Sequence, residues 1–257
     1  MKKDYNLDFK NKNILVVGGN GFLGKEVCEA FHSYSANVII IDKHISKTQK
    51  KKNIDFFKTD ISKKNSIDKS FKKIKKNYNN IYSIINCAKF TYKKNIKQYI
   101  GKLDNQSYKV FKESLSTNLI GPFYIIKKFS SLMKEKNSNI VNISSIYSLL
   151  SPDFKIYRKT KMGNSAAYSA SKAAINQLTR WFASQLSPNI RVNSISPGGV
   201  IENQNINFIK KYNKKTLLNR MAKKEEVVGP ILFLASNLSR YVNGANIIVD
   251  GGLSIKI

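Results

Sequence analysis

Residues 14–24 read ILVVGGNGFLG. Ile14–Val17 is a short, wholly apolar run that ends at glycine, the pattern of a parallel strand buried on both faces. Gly18, Gly21 and Gly24 then recur at three-residue spacing, and a helical pattern follows over Lys25–Tyr34. Strand, glycine turn and helix in that order open a βαβ unit. Glycine lets the chain turn tightly, and it lets an anion approach the free N–H groups of the helix N-terminus, where the dipole favours negative charge. Taken alone the spacing also suits a plain structural turn. Its place at a strand end near the start of the chain points instead to a dinucleotide pyrophosphate, seated on Gly18, Asn20, Gly21, Phe22, Leu23 and Gly24.

The pattern repeats outward from that turn. Further strands are expected at Val38–Ile41, Ile54–Phe57, Ile81–Asn86, Asn139–Ile143, Ile190–Ile195 and Asn246–Val249, with helical periodicity between most of them. Apolar strands alternating with helices predict a parallel sheet covered on both faces, and right-handed crossovers then give a doubly wound fold. The fold class is α/β: one Rossmann domain over 1–257, built on a seven-stranded parallel sheet. No repeat, low-complexity linker or domain boundary interrupts it.

Asp42 closes the second strand. An acidic group there accepts hydrogen bonds from the adenosine ribose hydroxyls and repels a 2′-phosphate, which favours NAD over NADP. Lys43 follows it and offsets part of that repulsion, so NADP stays possible. Asp60, with Ile61, follows the third strand; Asp60 either meets the adenine edge or caps the next helix.

The formal charge of +29 and a pI near 10.0 raise nucleic acid or an anionic membrane as partners. The distribution argues against both. Among the 45 basic residues only positions 158, 180, 191, 220 and 240 are Arg; the rest are Lys, spread along the whole chain. In Ile67–Tyr78 (IDKSFKKIKKNY) the apolar residues 67, 71, 74 and 78 fall at helical spacing, so the lysines form the wet face of an amphipathic helix. Such a charge steers small anions rather than marking a patch. Cys28 and Cys87 have no metal-ligand spacing and read as reduced thiols; no metal site is expected. The first residues, MKKDYNLDF, lack an apolar leader, and no apolar run reaches the roughly 18 residues of a membrane helix. A cytoplasmic chain with neither nucleic acid nor membrane as partner is expected.

Tyr168 and Lys172 stand four apart in Ala166–Leu186, a strongly helical segment, and therefore share a face. A phenol of pKa about 10 is a poor base at neutral pH. A neighbouring ammonium, aided by a cationic nicotinamide, stabilises the phenolate, so that Tyr168 takes a proton from a substrate hydroxyl as hydride leaves. Ser145, beyond the fifth strand, would hold the substrate oxygen. Asn118 lies just before Gly121-Pro122, which should distort its helix and free a carbonyl for a proton-relaying water.

These residues together resemble the short-chain dehydrogenase/reductase family over nearly the whole chain. The match comprises Gly18…Gly24, Asp42, Asp60, Asn86-Cys87-Ala88, Asn118, Ser145, Tyr168, Lys172, Ser196-Pro197-Gly198-Gly199 and Asp250-Gly251-Gly252. The resemblance implies a catalytic tetrad of Asn118, Ser145, Tyr168 and Lys172. It implies cofactor contacts from Asn86, Ala88, Tyr168, Lys172, Pro197, Gly198 and Val200, a substrate lid over about 200–222, and a homodimer or homotetramer built through Ala222–Leu234 and the last strand. Three departures stand out. Lys89 occupies a place where the family usually has glycine. The glycine spacing matches the longer, sugar-nucleotide-modifying branch. Ser145 and Tyr168 are further apart than is usual, which marks an insertion at about 149–165.

That insertion, chiefly Ser151–Asn164 (SPDFKIYRKTKMGN), is aromatic and basic. Lying between the reactive groups, it is expected to overhang the substrate, with Tyr157, Arg158 and Lys159 as contacts to a sugar and its phosphate. The arrangement resembles oxidoreductases of bacterial flagellin-modification and legionaminic-type nonulosonic sugar pathways. It implies hydride transfer to or from a sugar-like alcohol or ketone, a class that includes phosphorylated and nucleotide-linked amino sugars. A structural flap is the plainer reading of the same segment. The alternatives are an epimerase or dehydratase that recycles its NAD, and a non-catalytic cofactor- or nucleic-acid-binding protein.

Overall fold

The structure, a computed structural model, describes residues 6–44, 51–92 and 94–256. Residues 1–5, which begin the stretch read as leaderless, lie outside the described residues.

The expected strands form at β1 (Asn13–Val17), β2 (Asn37–Asp42), β3 (Ile54–Lys58), β4 (Ser83–Asn86), β5 (Ser138–Ile143), β6 (Ile190–Pro197) and β7 (Asn246–Val249). They make one parallel sheet in the order β3-β2-β1-β4-β5-β6-β7. The fourth strand starts later than its apolar run predicts. Ile81 and Tyr82 are buried but run ahead of the ladder, where Ile81 N–H donates to Leu132 rather than to a strand.

Strand residues alternate between two buried layers. Ile14, Val16, Val38, Ile40, Ile85, Val141 and Ile195 pack with α1 (Phe22–Ser33) and with α8 (Lys224–Ala235). Leu15, Val17, Ile39, Ile41, Ile84, Ile140 and Val192 pack with α2 (Lys64–Asn77), α5 (Gly121–Phe129) and α6 (Ala166–Leu186). Two faces of one sheet are each covered by helices, so the strands are apolar throughout. The remaining helices are α3 (Lys97–Ile100), α4 (Tyr108–Leu115) and α7 (Ile206–Asn213). In α2, Ile67 and Ile74 are buried and the lysines between them are exposed or half-exposed, as the amphipathic pattern requires.

Helix α8 and β7 form the region expected to carry an oligomer contact. On α8, Val227, Val228, Ile231, Leu232 and Leu234 are spent on this chain's own sheet. Exposed apolar residues remain at this end, among them Ile248 of β7, and also along α5–α6, where Leu119, Ile120, Phe123, Leu178 and Trp181 line a shallow groove of about 390 Å³. Among the described residues no helix is long and apolar enough to cross a membrane.

The strand order reverses between β1 and β4. In an open parallel sheet a crevice forms at that point, beyond the carboxyl ends of the strands. The segments following β1, β2, β4, β5 and β6 all converge on that edge.

Candidate active site at the carboxyl edge of the sheet

The glycine turn follows β1 directly. Gly18 has φ +77°, in the left-handed region that favours glycine, and a Cβ there would lie 2.6 Å from the Cα of Ala88. A Cβ on Gly24 would lie 2.1 Å from the carbonyl oxygen of Gly18. The turn and the first turn of α1 can close only without these side chains. Gly24→Ala is therefore expected to cost roughly 1–3 kcal/mol, the range for forcing an added methyl into packed structure. Denaturant unfolding checks this, and a variant as stable as the native chain would mean that the backbone relaxes freely. Phe22 and Leu23 start α1; Leu23 packs on the core and the Phe22 ring lies under the Lys224 ammonium at 4.7 Å.

Asp42 ends β2 beside this turn. Its carboxylate accepts from the Asn20 N–H at 3.0 Å and from the His44 N–H at 2.9 Å. Each oxygen keeps an acceptor position. Lys43 turns away, reaching Asp60 at 3.9 Å, so it does not neutralise Asp42. Asp60 accepts from the backbone N–H and hydroxyl of Ser62. It is not the helix cap of α2: Lys63 holds that position with no side-chain bond, because Asp60 is used in the turn ahead of it. Ile61 is buried, packed where the chain enters α5 at Gly121.

Asn86 ends β4 and donates to Asn142 at 2.7 Å, while Asn142 donates to Thr179 of α6 at 2.9 Å. The side-chain oxygens of Asn86 and Asn20 are buried without a partner. Ala88 lies against Gly18. Pro197 and Gly198 close β6, with Gly198 N–H donating to Val249.

Asn118 sits in a π-helical stretch, Ser116–Ile120, immediately before Gly121-Pro122. The expected distortion is present. The residue four beyond Asn118 is Pro122, which has no N–H to give its carbonyl. The Asn118 side chain accepts from the Phe90 N–H at 2.7 Å and uses both its N–H groups, donating to Ser171 at 3.1 Å and Ser114 at 3.3 Å. It thereby ties the loop after β4 to α4 and α6.

Ser165 caps α6 by accepting from Tyr168 N–H, and the helix carries Tyr168 and Lys172 one turn apart. Ser145 lies just beyond β5, buried, and its hydroxyl is within hydrogen-bonding reach of the Tyr168 phenol. The Lys172 ammonium is buried, donates to the Ile143 carbonyl at 2.7 Å and lies 5.8 Å from the Tyr168 ring centre. Ser145, Tyr168 and Lys172 thus meet in space despite the insertion between them.

Burial, the largest influence, pulls Lys172 down to about 8; the nearby Lys89 charge adds to this and Cys87 opposes it. Burial pushes Tyr168 up to about 12, against the lowering effect of its bond with Ser145. Burial thus favours the neutral phenol of Tyr168, whereas the phenolate was expected from the ammonium acting together with a cationic nicotinamide.

The insertion does not hang free over the edge. Ile156 is buried with Phe208 and Tyr212 of α7 and with Met221, forming a small core apart from the two main layers. Asp153 pairs with Lys215 at 2.9 Å, and Lys211 donates to the Arg158 carbonyl at 2.9 Å. Arg158 and Lys159 are exposed. Tyr157 is half-buried, stacked on Phe208, and its hydroxyl meets that of Tyr147 at 2.7 Å. Tyr147, two residues past Ser145, was not among the expected site residues; its closeness in sequence to Ser145 is the one signal that points to it. The segment from Val200 returns to pair with Ala222, with Ile201 N–H donating to Ala222 at 2.8 Å, so both ends of the 200–222 excursion are pinned together.

The chain is similar to known proteins over nearly its whole length. A family model described as enoyl-(acyl carrier protein) reductase matches residues 20–254. Post-translational flagellin modification protein A of Campylobacter coli is 32% identical over 256 residues, 95% of this chain and 98% of that protein. An L-xylulose reductase of Caenorhabditis elegans is 30% identical, over 97% of this chain and 98% of that protein. Among solved structures, a short chain dehydrogenase from Leptospira borgpetersenii with bound NAD+ has a TM-score of 0.88 and 33% identity, covering 99% of this chain and 97% of that one.

Proposed function

Since the chain belongs to the short-chain dehydrogenase/reductase family, it is an oxidoreductase, and we propose that it moves hydride between NAD and a polyhydroxylated, sugar-like ketone or alcohol. The observation that carries this reading is the meeting of Ser145, Tyr168 and Lys172 beside the Gly18 turn and Asp42. When bound, the dinucleotide supplies the hydride acceptor or donor. The residues present fit it: the turn has no room for side chains at Gly18 and Gly24, Asp42 keeps acceptor positions, and Asn20 and Asn86 hold buried oxygens without partners. Gly18, Asn20, Gly21 and the start of α1 would take the pyrophosphate. Asp42 would take the adenosine ribose, Asp60 the adenine edge, and Pro197, Gly198 and Val200 the nicotinamide end. An Asp42 carboxylate that Lys43 does not neutralise supports NAD over NADP.

In this reading Ser145 donates a hydrogen bond to the reacting oxygen and orients it. Tyr168 gives that oxygen a proton, or takes one in reverse. Lys172 biases the phenol through its charge, and the Asn118 carbonyl holds a water that connects Lys172 to solvent. The excursion over 200–222 closes above the substrate. Arg158 and Lys159, exposed on the insertion, reach a phosphate on substrates that carry one. Relatives concerned with flagellin modification and L-xylulose support a carbohydrate.

A screen of ketoses, sugar phosphates and nucleotide sugars, with NAD and NADP in parallel and nicotinamide absorbance as readout, tests the proposal. Turnover of a carbohydrate with NAD is expected. Conversion without net NADH change would assign an epimerase or dehydratase. Turnover restricted to lipid or acyl substrates would overturn the sugar reading. For any phosphorylated substrate, an unchanged KM in Arg158→Ala/Lys159→Ala would remove the phosphate contact.

The apolar α5–α6 groove supports a homo-oligomer that buries Trp181 against a second copy. Sedimentation of the native chain and of Trp181→Glu checks this; two monomers would sink it. Two thiols with no disulfide between them fit a reducing compartment, and we place the enzyme in the cytoplasm; secretion of the native protein would exclude that.

A further inference from the structure

Tyr147 lies in the single turn Ile146–Ser148, which Ser145 caps by accepting its N–H at 3.2 Å. That turn is pinned on several sides. Ser144 donates to the Lys172 carbonyl at 2.9 Å, Asn176 of α6 donates to Ser148 at 2.8 Å, and Ser148 meets Ser196 of β6 at 3.3 Å. The Tyr147 backbone is therefore fixed relative to Ser145, Tyr168 and Lys172. Tyr157 comes from the insertion, and its ring stacks on Phe208 with centres 5.5 Å apart, while the adjacent Ile156 is buried in the small core with Tyr212 and Met221. Its hydroxyl is anchored too.

The two hydroxyls meet at 2.7 Å. A hydroxyl has one donor and two acceptor positions. One bond between them uses one donor and one acceptor, so the pair retains a donor and acceptors. The Asn164 side chain is within hydrogen-bonding reach of Tyr157 and fills one more position. What is left, a donor and an acceptor side by side, is the complement of a secondary alcohol. Burial pushes both phenols upward, so they stay neutral at pH 7 and bind rather than transfer protons.

We infer that Tyr147, paired with Tyr157, determines specificity by receiving the hydroxyl next to the reacting carbon of the substrate. The inference rests on the carbohydrate reading above. It also gives the insertion a role: the longer Ser145–Tyr168 spacing brings a second phenol to the one beside the catalytic serine. A site built to bond a hydroxyl leaves its own polar groups unpaired when that hydroxyl is absent, so such a site discriminates strongly.

The test uses the native enzyme, Tyr147→Phe, Tyr157→Phe and the double variant. Each is assayed with a ketose and with its analogue lacking the hydroxyl adjacent to the carbonyl, and the ratio of the two kcat/KM values is read. Each single variant is expected to lower the native ratio about 10-fold, the effect of one lost hydrogen bond. The double variant should lower it little further, because the hydroxyls act as one unit. An equal fall with both substrates would show a structural role only, and an unchanged ratio would show that the pair does not meet substrate; either overturns this inference while leaving the carbohydrate reading intact. Native enzyme that turns over only ketones without hydroxyls would overturn both. A thermal melt of each variant separates misfolding from lost recognition, and a Tyr147→His variant, smaller than tyrosine but still able to hydrogen-bond, that keeps more of the ratio than Tyr147→Phe would support a hydrogen-bonding role.

Discussion

Tyr168→Phe is expected to lower kcat by about 10²–10⁴-fold, the usual worth of a positioned acid or base, with little change in NAD affinity. The substitution keeps the ring and removes only the hydroxyl. Helix α6 is unaffected, since its cap is the Ser165 hydroxyl bonded to the Tyr168 backbone. The phenol is raised to about 12 by burial, and only the Ser145 bond lowers it. The phenol is therefore protonated at pH 7. The resting chain is thus poised as a proton donor, which suits reduction of a ketone; oxidation must recruit further positive charge to reach the phenolate. Single-turnover kinetics, with NAD binding followed separately, checks this. A variant that kept more than a tenth of native kcat would remove Tyr168 from the chemistry. Reduction and oxidation should also differ in pH response, reduction being lost at higher pH and oxidation gained.

Much of this architecture is written locally. Parallel strands buried on both faces have no polar side to confuse the pattern, so all seven were legible, as was the helical segment Ala166–Leu186 that forms α6. The distortion around Asn118 was legible because its cause, Pro122, is a few residues away. What was not legible depends on contacts between distant segments. Nothing in SPDFKIYRKTKMGN says that Ile156 will be buried against Phe208 and Tyr212, about 50 residues further on; the aromatic and basic residues draw the eye, and the isoleucine anchors the segment. The same holds for α8, whose apolar residues suit an oligomer contact or the chain's own sheet equally well until the sheet is seen. For Tyr168 the position was legible and the protonation state was not. The sequence places an ammonium one turn away, but the sign of the phenol's shift depends on how dry the pocket is, and dryness is a tertiary property.

Dryness also sets the second large effect, at Lys172. Lys172→Met is expected to reduce kcat by about 100-fold or more and yet to raise stability at pH 7 by roughly 2 kcal/mol. Burial lowers this ammonium from the ordinary 10.5 to about 8. That difference corresponds to about 3 kcal/mol of cost in holding the charged form inside the folded protein. Methionine of similar length removes the cost and forfeits the bond to the Ile143 carbonyl, worth about 1 kcal/mol. The sign follows from proton counting. Between pH 8 and 10.5 the unfolded chain binds more protons than the folded one, so native stability rises with pH through that window; below 8 both states are protonated and the full cost persists. The advantage of the methionine variant should therefore be greatest at or below pH 7 and vanish near pH 10. Unfolding in denaturant at pH 7 and pH 10 tests this. A variant equally destabilised at both would mean that the ammonium acts there only as a hydrogen-bond donor. A gain confined to pH 7, alongside lost turnover, would show that the site accepts lower stability in exchange for a charge kept beside Tyr168.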